Sequence, residues 1–179
     1  VSYRIVPSRS AEAARSVLND YGCIVMADGY GVYEHLAKHD GIVLANCWAH
    51  VRRKFFELEN SVPTEVREEI LELIGRLYLI DREAQGDAAR LARVRQEQSR
   101  GVIDQIRQWL FTQKTNALPR SALGKAIDYA LARWTGLTRF LSDPRIPLDN
   151  NASERALRGP VVGRKNHYGS KSERGTQVA

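Results

Sequence analysis

The pattern of apolar and polar positions changes character once along the chain, near Cys47. Ahead of that point, short apolar runs alternate with amphipathic stretches. Ser2–Val6 reads as a strand. Ser10–Gly22 reads as a short helix, with Ser10 as its cap and Gly22 as its stop. Cys23–Asp28, "CIVMAD", is a continuous apolar run of the kind found in strands covered on both faces. Val32–Gly41 is a second helix, closed by Asp40 and Gly41, and Ile42–Cys47, "IVLANC", is a third strand. This β-α-β-α-β order with short turns predicts an α/β fold with an at least partly parallel sheet and helices on its faces.

After Cys47 the period becomes helical. Trp48–Glu59 is one helix, and from Pro63 onward three long amphipathic patterns follow with no convincing strand. Val66, Ile70, Leu73, Ile74 and Leu77 mark the first. Leu91, Val94, Val102, Ile106 and Trp109 mark the second, from about Ala88 to Phe111, with Gly101 as its weak point. Leu123, Ile127, Leu131, Trp134, Leu137 and Phe140 mark the third. Pro144 and Pro147 end this helical region, which predicts a small bundle. Asn151 then caps a last helix, Glu154 reaches back to the cap, and Gly159 with Pro160 stops it.

Composition narrows the class. The chain has 179 residues and a formal charge of +6, with a pI of about 9.5, which favours a polyanionic partner. No apolar run is long enough to span a bilayer, and no secretory signal is expected. Cys23 and Cys47 make no disulfide framework, so a reducing compartment is expected. The first residue is not methionine, and both ends are expected to be cut from a longer chain.

Four features carry candidate chemistry. Asp28 follows an apolar strand, where ligands gather in open α/β sheets, and is either a metal carboxylate or half of an Asp-Gly turn. Glu154 is either part of a capping box or a second carboxylate, and the positive end of its helix supports its ionised form. Cys47 and His50 form a C-x-x-H pair with no second pair to complete a tetrahedral zinc site, so a buried thiol and a structural histidine are the simpler reading. Arg52, Arg53 and Lys54 form a basic edge, and Arg155–Gly175 is a basic, glycine-containing segment suited to phosphates or to a flexible tail.

Three segments, "ADGYGVY", "CWAHVRRKFFE" and "LDNNASERALRGPVVGRKN", stand in this order, the last one after the helical region. In combination they resemble the catalytic domain of the insertion sequence sixty-six family of bacterial transposases, over nearly the whole chain. That resemblance implies a DDE transposase with a ribonuclease-H-like core. Residues 1–59 would be the first part of the core, 60–145 a helical insertion, and 146–179 the second part.

The resemblance also implies roles. Asp28 matches the second catalytic aspartate and Glu154 the catalytic glutamate. With the family's first aspartate as a third carboxylate, they would hold two Mg²⁺ ions in the intact enzyme, with Mn²⁺ as a substitute. Cys47, His50, Asn150 and Asn151 would orient those carboxylates or the scissile phosphate. Arg52, Arg53, Lys54, Arg155, Arg158, Arg164, Lys165 and Asn166 would hold DNA, at transposon ends and target. Self-association and a bacterial cytoplasmic, nucleoid-associated location are implied as well. The first catalytic aspartate would lie upstream of Val1, so the expectation is an incomplete core with no metal necessarily bound and no activity of its own. Two other classes stay open: a non-catalytic DNA-binding or assembly module, and a metal-dependent nuclease that does not transpose.

Overall fold

The computed structural model describes residue 6, residues 8–18 and residues 21–166, with residues 160–166 as backbone alone. Helix α1 (Ala11–Leu18) begins where Ser10 Oγ accepts the N–H of Ala13 at 3.2 Å, the cap the sequence predicts. Strand β1 (Ile24–Ala27) leads through helix α2 (Gly31–His39) to strand β2 (Val43–Asn46). The helix is the crossover that two parallel strands require. The strands pair in parallel, with Ile24 opposite Val43 and Ala27 opposite Asn46, so their carboxyl ends coincide. Gly41, at φ +70°, closes α2 as predicted. Except for Val6, the strand expected over Ser2–Val6 lies outside the described residues. The described part is therefore mostly helical with a small two-stranded parallel sheet, compatible with an α/β class.

Helix α3 (Trp48–Phe56) starts directly after β2. Trp48, Val51 and Phe55 fall on one face and are buried, while Arg52, Arg53, Lys54 and Phe56 face outward. Complete burial of side chains as large as Trp48 and Phe55 stabilises by about 1.5–3 kcal/mol each. They pack on α4 (Thr64–Glu83) through Ile70, Ile74 and Leu77, and on α6 (Arg100–Asn116) through Ile106, Trp109 and Leu110. Trp109 meets Phe55 edge-on at 5.6 Å, and its indole N–H donates to Glu69 at 2.8 Å. The apolar core is continuous from Ala45 of the sheet to Leu148, just before the last helix.

Three helical expectations are corrected. The second long pattern is not interrupted at Gly101. It runs as α5 (Ala88–Val94), a π turn over Arg95–Ser99, and α6, and it continues to Asn116. A π turn inserts extra backbone into a helix, and here both of its buried residues, Arg95 and Ser99, are polar. The third pattern is split at Arg133 into α7 (Ala122–Ala132), α8 (Trp134–Thr138) and a 3₁₀ turn over Arg139–Leu141. The break lets Arg133 turn toward the sheet. The last helix, α9 (Asn151–Asn166), passes through Gly159 and Pro160 instead of stopping there. A proline inside a helix removes one donor, and the turns on either side carry the element across it.

Candidate active site

Asp28 stands where β1 ends. Its Oδ1 accepts the N–H of Tyr30 at 3.1 Å, and Gly29 takes φ +93°, so the Asp-Gly turn is real. That turn is held from above by α7. Tyr129 Oη donates to Asp28 O at 2.6 Å, and Arg133 Nη2 donates to Gly29 O at 3.1 Å. Arg133 also pairs with Glu34 at 2.7 Å and stacks 4.1 Å over the Tyr129 ring. Burial pushes the Tyr129 phenol up; the Arg133 charge opposes this, and the nearby charges of Asp28, Cys47 and Glu34 add to it. The Asp28 carboxylate itself is on the exposed side of the turn.

Cys47 and His50 bracket the start of α3. Cys47 is buried, and burial raises its thiol pKa although the backbone N–H groups of Asn150, His50 and Ala49 pull the other way. His50 Nε2 lies 3.5 Å from Glu154 Oε1, while its Nδ1 is buried with no hydrogen-bond partner among the described residues. This contact is made possible by one backbone bond, Trp48 N–H to Leu148 O at 2.9 Å, which ties the entry of α9 to the first turn of α3.

The entry of α9 differs from the predicted capping box. Asn151 is the first helical residue, and the backbone cap is Asn150, whose O accepts Glu154 N–H at 3.0 Å. Asp149 supplies the side-chain cap. Its Oδ1 accepts Asn151 N–H at 3.0 Å and its Oδ2 accepts Asn151 Nδ2 at 2.7 Å. A carboxylate is a stronger acceptor than a neutral amide, so Asp149 takes the role expected of Asn151. Glu154 is then free to face His50. Tyr78 of α4 lies beside Asp149, and burial together with that charge drives its phenol pKa well above its usual range.

The basic candidates separate. Arg52 and Arg53 line a cavity between α3, α4 and α9, whereas Lys54 sits 5.8 Å from the centre of the Tyr129 ring, on the Asp28 side. Arg155 and Arg158 are exposed on α9. The side chains of Arg164, Lys165 and Asn166 lie outside the described residues.

Sequence reasoning missed Asp149, although an acid two residues ahead of a helix is a readable turn signal. It also missed Tyr129 and Arg133, which nothing local marks, because they reach Asp28 and Gly29 from a distant helix. Among the described residues no three His, Cys, Asp or Glu side chains gather closely enough to hold a metal ion. No helix of the described residues is long and apolar enough to cross a membrane.

Comparison with known proteins adds a family. A family model described as "Transposase IS66 family" matches residues 1–178. The uncharacterized protein y4jD of Sinorhizobium fredii is 37% identical over 173 residues, covering 93% of this chain and 34% of its own length. Protein y4hP of the same organism, also uncharacterized, is 37% identical over 195 residues, covering 99% of this chain and 35% of its own. The chain thus spans about a third of the length of the curated relatives it matches. No solved structure matches.

Proposed function

Because the chain belongs to the IS66 family of transposases, we propose that it forms part of a DDE-type catalytic domain that cuts and joins DNA strands during transposition. The observation that carries this reading is the His50–Glu154 contact at the entry of α9. It joins two segments far apart in the sequence, and each contains a residue expected to serve the reaction. The parallel register supports it further. Ala27 opposes Asn46, so Asp28 and Cys47 leave the sheet at the same edge, and His50 stands in the first turn of the helix that follows. A ribonuclease-H-like arrangement, with Asp28 and Glu154 as two of its acids, is consistent with that placement.

In this reading the chain's own side chains have distinct tasks. His50 holds the Glu154 carboxylate in one orientation, and the positive end of α9 favours its ionised form. Tyr129 and Arg133 fix the backbone of the Asp28–Gly29 turn, so the Asp28 carboxylate projects from a rigid base. Arg52, Arg53, Arg155 and Arg158, with Lys54 on the Asp28 side, hold phosphates, and Arg164, Lys165 and Asn166 extend that surface. Asp28 and Glu154, with a third acid outside the described residues, would hold the two Mg²⁺ ions that the resemblance implies, and those ions would supply the Lewis acidity for strand cleavage.

The test is Glu154→Gln in the full-length protein. Cleavage at transposon ends is lost while DNA binding stays, because the amide keeps the shape and removes the charge. Cleavage at the original rate would take Glu154 out of the active site. If the unaltered full-length protein binds DNA but never nicks it, the chain is a binding or assembly module instead. The same substrate, assayed for joining of a 3′-OH to new DNA, separates a transposase from a nuclease.

A further inference from the structure

The outward face of α3 carries a cavity around Arg52 and Arg53, to which the reading above gives only phosphate contacts. It measures about 450 Å³, within the range of small-ligand sites. Ala49, Arg52, Arg53 and Phe56 come from α3, Tyr78 from α4 and Asn151 from the first turn of α9. These residues are neighbours of the His50–Glu154 pair: Ala49 precedes His50, and Asn151 is one turn ahead of Glu154 on the same helix.

Three observations describe the ligand. Arg52 and Arg53 are exposed, adjacent on one face of α3, and make no ion pair with any described acid. Two uncompensated guanidinium groups at one mouth attract an anion. Phe56 lines the cavity and keeps 51% of its surface exposed, with the Arg67 guanidinium 5.8 Å from its ring centre. Tyr78, whose buried hydroxyl lies beside Asp149, closes the inner side of the cavity, and Asn151 supplies a polar wall opposite. An anion, a planar ring and edge hydrogen bonds are together the chemistry of one unstacked nucleotide.

We infer that this cavity binds a single unpaired nucleotide of the DNA strand next to the scissile phosphate, with its base on Phe56 and its phosphate between Arg52 and Arg53. The inference rests on the DNA-processing reading above and names a subsite within it. A duplex end is thereby opened by one nucleotide and its adjoining phosphate is carried toward Glu154.

The experiment measures binding of the full-length protein to three labelled duplexes by fluorescence anisotropy. One is blunt, one carries a single unpaired terminal nucleotide, and one carries an abasic residue at that position. The expected result is tighter binding of the unpaired nucleotide than of the abasic one, by about five- to one-hundred-fold, the range that stacking on one aromatic ring gives. Phe56→Ala removes this preference and Phe56→Trp keeps it. Arg52→Ala with Arg53→Ala weakens all three duplexes. Equal affinity for the base and the abasic residue overturns the inference but leaves the DNA-processing reading intact. So does a preference that survives Phe56→Ala. Failure to bind any of the duplexes overturns both.

Discussion

Removing the Arg95 side chain tests how the helical region supports the candidate site. Arg95 is only 2% exposed and sits in the π turn. Its Nε and Nη2 meet the two oxygens of Asp81 at 2.9 and 2.5 Å. Its Nη1 donates to Phe140 O and Ile146 O at 3.0 Å each and to Asp143 O at 3.3 Å, and the group lies 5.1 Å from the Phe140 ring centre. One guanidinium thus ties α4 to the segment that turns back toward α9. Arg95→Met fills similar space without the charge. It leaves Asp81, with 19% of its side chain exposed, without its partner, and it strips a donor from two buried carbonyls. Breaking a buried pair from one side costs about 3–5 kcal/mol, and each orphaned buried acceptor about 1–3 kcal/mol. These do not add fully, since all the groups lose one shared partner and Asp81 is partly exposed, so water takes up part of its charge. The expected loss is about 4 kcal/mol, a large share of the roughly 5–15 kcal/mol that holds a domain folded. At a urea slope of about 2 kcal/mol per molar, the unfolding midpoint falls by about 2 M. Asp81→Leu combined with Arg95→Met recovers part of that loss, because no charge is then left alone. A midpoint drop of less than about 0.5 M for Arg95→Met would show that water replaces the guanidinium at little cost, and the clamp would be refuted.

Other outcomes follow from the same contacts. Gly136→Ala places a Cβ 2.1 Å from Asn46 Oδ1 and 3.1 Å from Leu44 O, so the buried Asn46 side chain must turn or α8 must shift on β2, at a cost of about 1–3 kcal/mol in urea unfolding. Gly29→Ala combines a φ of +93° with a Cβ 2.4 Å from Arg133 Nε, and the expected result is a drop in melting temperature together with weakened cleavage by the full-length protein. Cys47 and Tyr78 are raised from usual values of 9.0 and 10.0, so the unfolded chain releases these protons first. Their stability contribution is complete below about pH 8 and is lost as the pH rises past the unfolded values, which urea midpoints at about pH 7 and about pH 10.5 will show. Arg155→Ala with Arg158→Ala reduces the slope of log affinity against log salt by about 2, and an unchanged slope would place both arginines away from DNA.

Much of this protein was legible in its sequence because the information is local. The Ser10 cap, the glycine closing α2, the apolar runs of β1 and β2, and the inward faces of α3, α4 and α6 all follow from short-range periodicity and backbone preference. Asp28, Cys47, His50 and Glu154 were visible as chemistry at strand and helix ends, and the order of their segments led to the family. Tertiary structure decided what was not local. It broke the third helical pattern at Arg133, because that side chain reaches Gly29 O and Glu34 across the fold. It gave the α9 cap to Asp149 and turned Glu154 toward His50, because the bond from Trp48 N–H to Leu148 O brings the two helix starts together. It buried an arginine in a predicted amphipathic helix, because carbonyls from a distant turn and one aspartate compensate its charge. Hydrophobic period and turn chemistry act between residues a few positions apart. Hydrogen bonds and charges between distant segments act only after the chain has folded, so no window of the sequence contains them.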